Sequence, residues 1–202
     1  IHQHPLYDHY GSKLDIVEAR KRLDIPAEKK VILFFGFIRD YKGLDILIES
    51  MKGLSDDHLL LIAGEVYGDF KKYDELIRKH DLGKRINLHI RYIPENEIPV
   101  FFSAADVCVL PYRSATQSGI VGIAYDFDLP VIVTNVGGLA EMVEEHKTGF
   151  IAKQAGTQGV SAEISKYFDN KFKENFITHI ENYKKSHSWA AFASDLLKLT
   201  EN

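Results

Sequence analysis

Lys30-Val-Ile-Leu-Phe-Phe-Gly36-Phe-Ile-Arg39-Asp-Tyr-Lys42-Gly43-Leu-Asp-Ile-Leu-Ile-Glu-Ser-Met51 holds the two kinds of segment from which the whole chain is built. Its first part, Lys30–Phe37, is almost continuously apolar. A strand with one wet face alternates apolar and polar residues, so an unbroken run predicts a strand covered on both faces. Its last part, Gly43–Met51, carries Leu44, Leu47, Ile48 and Met51 at helical spacing, which predicts a helix with one apolar face. Between the two lies a loop that opens on a glycine and holds two cations, Arg39 and Lys42.

The same alternation repeats outward from this stretch. Strands are expected at Leu59–Ala63, Ile86–Ile90, Asp106–Leu110, Pro130–Thr134 and Thr148–Ala152. Helices are expected at Phe70–His80, Glu97–Ala105, Gly119–Phe127 and Leu139–Glu144. Ser12 is expected to cap an earlier helix running to about Leu23, with Pro26 as its stop. Val160–Phe168, Lys171–Lys184 and Trp189–Leu199 close the chain as helices. Buried-type strands separated by helices mark a parallel sheet covered on both faces, and right-handed crossovers leave a doubly wound order as the natural one. The expectation is a three-layer Rossmann-like α/β domain on a six-stranded parallel sheet over residues 12–186. Residues 1–11 read as a linker, and 187–202 as a carboxyl-terminal helix.

The 202 residues carry a formal net charge of −4, with 45% hydrophobic and 27% charged residues. A surface that neutralises nucleic-acid phosphates needs a basic field, so this balance argues against a nucleic-acid partner. The apolar runs have strand length, no membrane span is expected, and no signal-like segment opens the sequence. Cys108, the single cysteine, sits in an apolar run and reads as a small buried hydrophobe; a lone thiol fits a reducing compartment, so the cytoplasm is the expected location. His2, His4 and His9 sit in the unpatterned opening segment without carboxylates at ligand spacing. They read as linker residues, and no metal site is expected.

In doubly wound sheets, ligands bind beyond the carboxyl ends of the strands, so the loops after each strand are the places to search. Gly36 lets the first loop turn sharply. Arg39 and Lys42 then stand at the start of a helix, where the dipole disfavours cations unless an anion lies between. That conflict favours anion binding over two solvated charges beside Asp40 and Asp45. In Pro111-Tyr-Arg-Ser-Ala-Thr-Gln-Ser118-Gly119, Thr116, Gln117 and Ser118 are candidate caps, and Gly119 allows close approach to a ligand. This turn fits an anion cradle and an ordinary capped helix equally well. Gly137, Gly138 and Glu141 in the loop after the fifth strand are accounted for by turn geometry. Glu65 and Tyr67 read as part of a plain loop, although either could meet a base or a sugar hydroxyl. No nucleophile–base motif, Walker A loop or HExxH pair is present.

The ordered series Gly36-Phe-Ile-Arg-Asp-Tyr-Lys-Gly43, Leu61-Ile-Ala-Gly-Glu65, Tyr92-Ile-Pro-Glu-Asn-Glu97, Phe102-Ser-Ala-Ala-Asp106, Leu110-Pro-Tyr112, Ala115-Thr-Gln-Ser-Gly119 and Leu129-Pro-Val-Ile-Val-Thr-Asn-Val-Gly-Gly138 resembles the carboxyl-terminal domain of the family 4 retaining glycosyltransferases. Those enzymes have the GT-B architecture of two facing Rossmann-like domains. His4-Pro-Leu-Tyr-Asp8 resembles the linker between them. The resemblance implies a nucleoside-diphosphate sugar held by this domain and an acceptor held by an absent amino-terminal domain, through which any membrane contact would be made. It implies that Arg39 and Lys42 contact the diphosphate, that the backbone around Ser118 and Gly119 cradles it, and that the chemistry asks for no metal or other cofactor.

Two positions depart from the family pattern. Its paired glutamates, eight residues apart, fall on Ala115 and Ile123, so the missing polar contacts are expected from Thr116 or Gln117. Phe37 stands where many members carry the first-loop arginine, so Arg39 is expected to substitute. The resemblance therefore implies either an active hexosyltransferase half serving surface polysaccharide or glycolipid assembly, inactive without its partner domain, or a degenerate module that binds without turnover. A sugar-nucleotide epimerase is disfavoured, because no GxGxxG follows the first strand.

Overall fold

A computed structural model describes residues 10–153, 156–169 and 172–193. Six strands form one parallel sheet: β1 (Lys30–Phe35), β2 (His58–Ala63), β3 (Ile86–His89), β4 (Val107–Leu110), β5 (Val131–Thr134) and β6 (Gly149–Ala152). Their order is β3-β2-β1-β4-β5-β6. The chain therefore moves outward from β1 through β3, returns beside β1 as β4, and moves outward the other way. Loops leaving β1 and β4 diverge over opposite faces, which opens a crevice at the carboxyl ends of these two central strands.

Helices cover the sheet: α1 (Ile16–Arg22), α2 (Leu44–Ser50), α3 (Lys71–Lys79), α4 (Ile98–Ala104), α5 (Gly119–Asp126), α6 (Thr157–Asp169) and α7 (Lys173–Ser186). Alternate side chains of a strand point to opposite faces. In β1, Val31, Leu33 and Phe35 join the core under α1, α4 and α5, while Ile32 and Phe34 join the core under α2, α3 and α6. β1 is buried on both sides, as its unbroken apolar run predicts. Beneath the opposite end of the sheet, Asp106 accepts from Arg20 Nη2 at 2.7 Å and from the Val31 amide at 2.8 Å. That partly buried pair ties α1 to the starts of β1 and β4.

Several boundaries differ from the sequence reading. Asp15, and not Ser12, caps α1: its carboxylate accepts from the amides of Val17 (2.9 Å) and Glu18 (3.2 Å), two donors that one hydroxyl serves less well. β1 stops at Phe35 because Gly36 adopts φ +96, which turns the chain out of the sheet. The cations do not occupy the first turn of α2. Asp40–Lys42 forms a separate 3-10 turn, and Gly43, at φ +66, separates it from the helix. The expected helix at Leu139–Glu144 is a 3-10 turn at Gly137–Met142. Helical backbone spans 189–193, and the rest of the expected Trp189–Leu199 helix lies outside the described residues, as do residues 1–9 of the expected linker.

Candidate functional site

β1 and β4 pair directly, Ile32 with Val107 and Leu33 with Cys108, so the loops leaving them are neighbours from the start. The first loop is fixed on its outer side by the loop after β2: the Ile38 amide donates to Glu65 O (2.8 Å) and the Tyr67 amide to Ile38 O (3.0 Å). On its inner side it meets the loop after β4. The Arg113 amide donates to Tyr41 O at 2.7 Å. A Cβ on Gly43 would stand 2.1 Å from Pro111 O, so only glycine allows this approach. The 3-10 turn between these ties carries Lys42 back over the end of β1.

Lys42 is 8% exposed. Its Nζ lies 5.6 Å from the centre of the Tyr112 ring and close enough to Gly36 that a Cβ there would be 3.2 Å away. Burial pulls its pKa down to about 8, the nearby Arg39 charge pushes the same way, and Cys108 opposes them. The acids on either side of Lys42 in the chain are engaged elsewhere. Asp40 pairs with Lys72, and Asp45 receives the guanidinium of Arg113 in a two-pronged contact, one prong at 2.9 Å. Among the described residues neither Lys42 nor Arg39 has a carboxylate partner. A buried ammonium without a counter-ion is costly unless a ligand supplies one.

Lys42 opens on a cleft of about 520 Å³ whose other wall is the start of α5, with Thr116, Gln117, Ser118 and Gly119 along it. Ser118 is the cap: its Oγ accepts from the Ile120 amide at 3.3 Å and lies 3.4 Å from Tyr112 Oη. Thr116 and Gln117 are exposed and do not cap. A Cβ on Gly119 would meet nothing within 4 Å, so this part of the wall is open to a ligand. The turn after β5 backs the same loop. Cβ atoms on Gly137 and Gly138 would stand 2.0 Å from Ala115 O and 2.1 Å from Thr116 O. These glycines do more than relax a turn; they let two backbones meet and hold the α5 wall in place.

The structure thus brings Lys42, Thr116, Gln117, Ser118 and Gly119 to one cleft. Gly36 lines an adjoining, largely apolar pocket of about 220 Å³ that shares Lys42 and Ile120 with it and includes Glu65 and Tyr92. Arg39 lines neither cavity. Its guanidinium lies over the rings of Tyr67 (4.6 Å) and Phe37 (5.8 Å), so the two cations are not a symmetrical pair of jaws. Ala115 and Ile123 both stand on the cleft wall. Sequence reasoning missed Tyr112 and Arg113, whose partners are set by tertiary contacts that loop composition does not reveal. Among the described residues no group of three or more His, Cys, Asp or Glu could hold a metal ion, and His2, His4 and His9 lie outside them. No described helix is long and apolar enough to cross a membrane.

Comparison with known proteins places these features in context. The family described as Glycosyl transferases group 1 matches residues 15–187. A D-inositol 3-phosphate glycosyltransferase from Corynebacterium aurimucosum is 26% identical over 88% of this chain and 44% of its own length. Anabaena HepE in complex with UDP superposes with a TM-score of 0.82 at 18% identity, over 95% of this chain and 54% of that one. The carboxyl-terminal domain of the group 1 family protein LpcC from Francisella tularensis superposes with a TM-score of 0.72 at 20% identity, over 86% of this chain and 92% of that domain. The chain spans less than half the length of the curated relatives it matches.

Proposed function

The chain belongs to the glycosyl transferases group 1 family, and from that premise we propose that it is the donor-binding domain of a retaining, family 4 transferase acting on a nucleoside-diphosphate sugar. The observation that carries this reading is the buried Lys42, without a carboxylate partner among the described residues, facing the capped start of α5 across an open cleft. A diphosphate seated there supplies the counter-ion. Its oxygens accept from Lys42 Nζ and from the Gly119 amide, and the helix dipole adds about 0.3–2 kcal/mol. The largely apolar pocket beside Lys42, which Glu65 also lines, suits a base.

In this reading the bond from the anomeric carbon to the diphosphate oxygen breaks, and the acceptor hydroxyl oxygen bonds to that carbon on the same face. The departing oxygen takes the hydroxyl proton. Lys42 and the Gly119 amide at the start of α5 already stand beside the charge that develops, so little reorganisation is needed at that moment. Arg39 contributes from outside the cleft, as a long-range positive field or by swinging off Tyr67. A glycan or lipid-linked acceptor, with any membrane contact, belongs to an amino-terminal domain of a longer cytoplasmic protein. UDP-bound and UDP-glucose-bound HepE share this fold and lend support to a donor of that class.

A second reading, a binding module without turnover, is favoured by Ala115 and Ile123 on the cleft wall, where a carboxylate would otherwise face the donor. Joining the chain to its amino-terminal half and assaying donor hydrolysis separates the two.

Binding itself is tested on the chain alone. UDP, GDP, ADP and dTDP are each added and thermal unfolding is followed; the preferred diphosphate at a hundredfold over its Kd adds about 2.7 kcal/mol. For a domain of this size that raises Tm by roughly 5–10 °C. If no diphosphate moves Tm, the proposal fails.

The pH dependence has a definite sign. With the free Lys42 pKa near 8, affinity holds below pH 8 and falls above it. The loss should approach tenfold per pH unit until the bound-state pKa is reached, because binding then requires proton uptake. Calorimetric titration with UDP from pH 7 to 9.5 reads this directly; a flat profile would remove Lys42 from the anion site.

A further inference from the structure

The two loops that form the cleft are separate in sequence, yet one side chain touches both. Arg113, in the loop after β4, donates from Nη1 to Asp40 O (2.7 Å) and to Asp45 Oδ1 (2.9 Å), and from Nη2 to Asp45 Oδ2. Its own amide donates to Tyr41 O. Asp40, Tyr41 and Asp45 flank Lys42 and Gly43 on both sides. Arg113 therefore grips the segment that carries Lys42 at three points around that residue. Neither partner is deeply buried: the Arg113 side chain is 45% exposed and that of Asp45 31%. An ion pair this exposed adds little to global stability. The fork geometry, by contrast, fixes direction, because a planar guanidinium that satisfies two carboxylate oxygens and a carbonyl has one orientation open to it.

We propose that Arg113 is a positioning residue: it clips the Lys42 turn to the loop that leads into α5 and so sets the width of the anion cleft. The inference rests on the diphosphate-binding reading for its consequence, though not for its geometry. Released from the clip, the 40–43 turn moves away from Pro111 and Lys42 gains water. Asp45, freed from Arg113, then competes with a bound anion for Lys42.

The full 202-residue chain is compared with Arg113→Ala, Arg113→Lys and Asp45→Ala, with UDP as the probe. Two quantities are read: UDP affinity by calorimetry, and the Lys42 titration midpoint by NMR of reductively 13C-methylated lysines, assigned with Lys42→Met. Arg113→Ala is expected to leave Tm within about 2 °C of the parent, to weaken UDP at least tenfold, and to move the Lys42 midpoint up from about 8 toward its ordinary 10.5. Arg113→Lys keeps the charge and loses the fork, so it should recover only a small part of the affinity. Asp45→Ala should shift the midpoint in the same direction as Arg113→Ala. An unshifted midpoint in Arg113→Ala, or full rescue by lysine, overturns the proposal. If the parent itself binds no UDP, the donor reading fails, and the midpoint still decides the clip.

Discussion

Lys42→Met is expected to unfold at a higher temperature than the parent while losing the nucleotide. The two effects have one cause. Methionine keeps most of the buried stem and discards an ammonium that the fold holds without a carboxylate partner among the described residues. Moving the pKa from 10.5 to about 8 corresponds to about 3 kcal/mol of destabilisation at neutral pH. Relief of part of this, about 1–3 kcal/mol, raises Tm by roughly 2–12 °C. The sign with pH follows from proton counts. Between pH 8 and 10.5 the unfolded chain binds more protons at this residue than the folded one, so parent stability rises with pH relative to Lys42→Met and the gap closes. UDP affinity should fall by at least tenfold, since a charge-assisted hydrogen bond contributes about 1.5–3 kcal/mol. Thermal scans at pH 7 and 10 with a UDP titration make the comparison. A lower Tm for Lys42→Met at pH 7 would mean that the ammonium supports the fold, and the trade between stability and binding would not exist.

Gly43→Ala carries the largest expected loss of stability. Two costs add. The residue sits at φ +66, where a Cβ costs about 1–2 kcal/mol. That Cβ would also stand 2.1 Å from Pro111 O, a backbone atom that cannot rotate away. The loops must part by about 1 Å, which disturbs the Arg113 amide bond to Tyr41 and the placement of Lys42 together. Destabilisation of about 2–4 kcal/mol is expected, with Tm lower by roughly 4–16 °C. UDP binding should weaken in the fraction that stays folded. Gly83→Ala is the control: a Cβ there meets nothing within 4 Å, and its Tm should hardly change. Equal Tm values for the two variants would contradict the close backbone approach.

Most of the scaffold was legible in the chain because the signals are local. An unbroken apolar run predicts a doubly covered strand whatever lies beside it, and each of the six expected strands is present with ends shifted by a residue or two. The misplaced ends have local causes of their own, such as the turn at Gly36 and the two-donor cap at Asp15. The candidate site was legible in part. Two cations placed just ahead of a helix start are a mismatch visible without coordinates, and Lys42, Ser118 and Gly119 do share one cleft. Arg39 satisfied the same argument and yet lies over Tyr67, because aromatic rings in a neighbouring loop offer its guanidinium a closer partner than the cleft does.

The sequence by itself determined the layered parallel sheet, the presence of glycine-led loops at the strand ends, and two cations in the first of them. Tertiary structure alone decided which cation faces the cleft, which acids are already taken, and which glycines are there to let backbones touch. The physical reason is reach. Periodicity and turn preference act over a few residues, whereas Arg113 finds Asp45 across 68 positions, and Gly43 meets Pro111, only because β1 and β4 lie side by side.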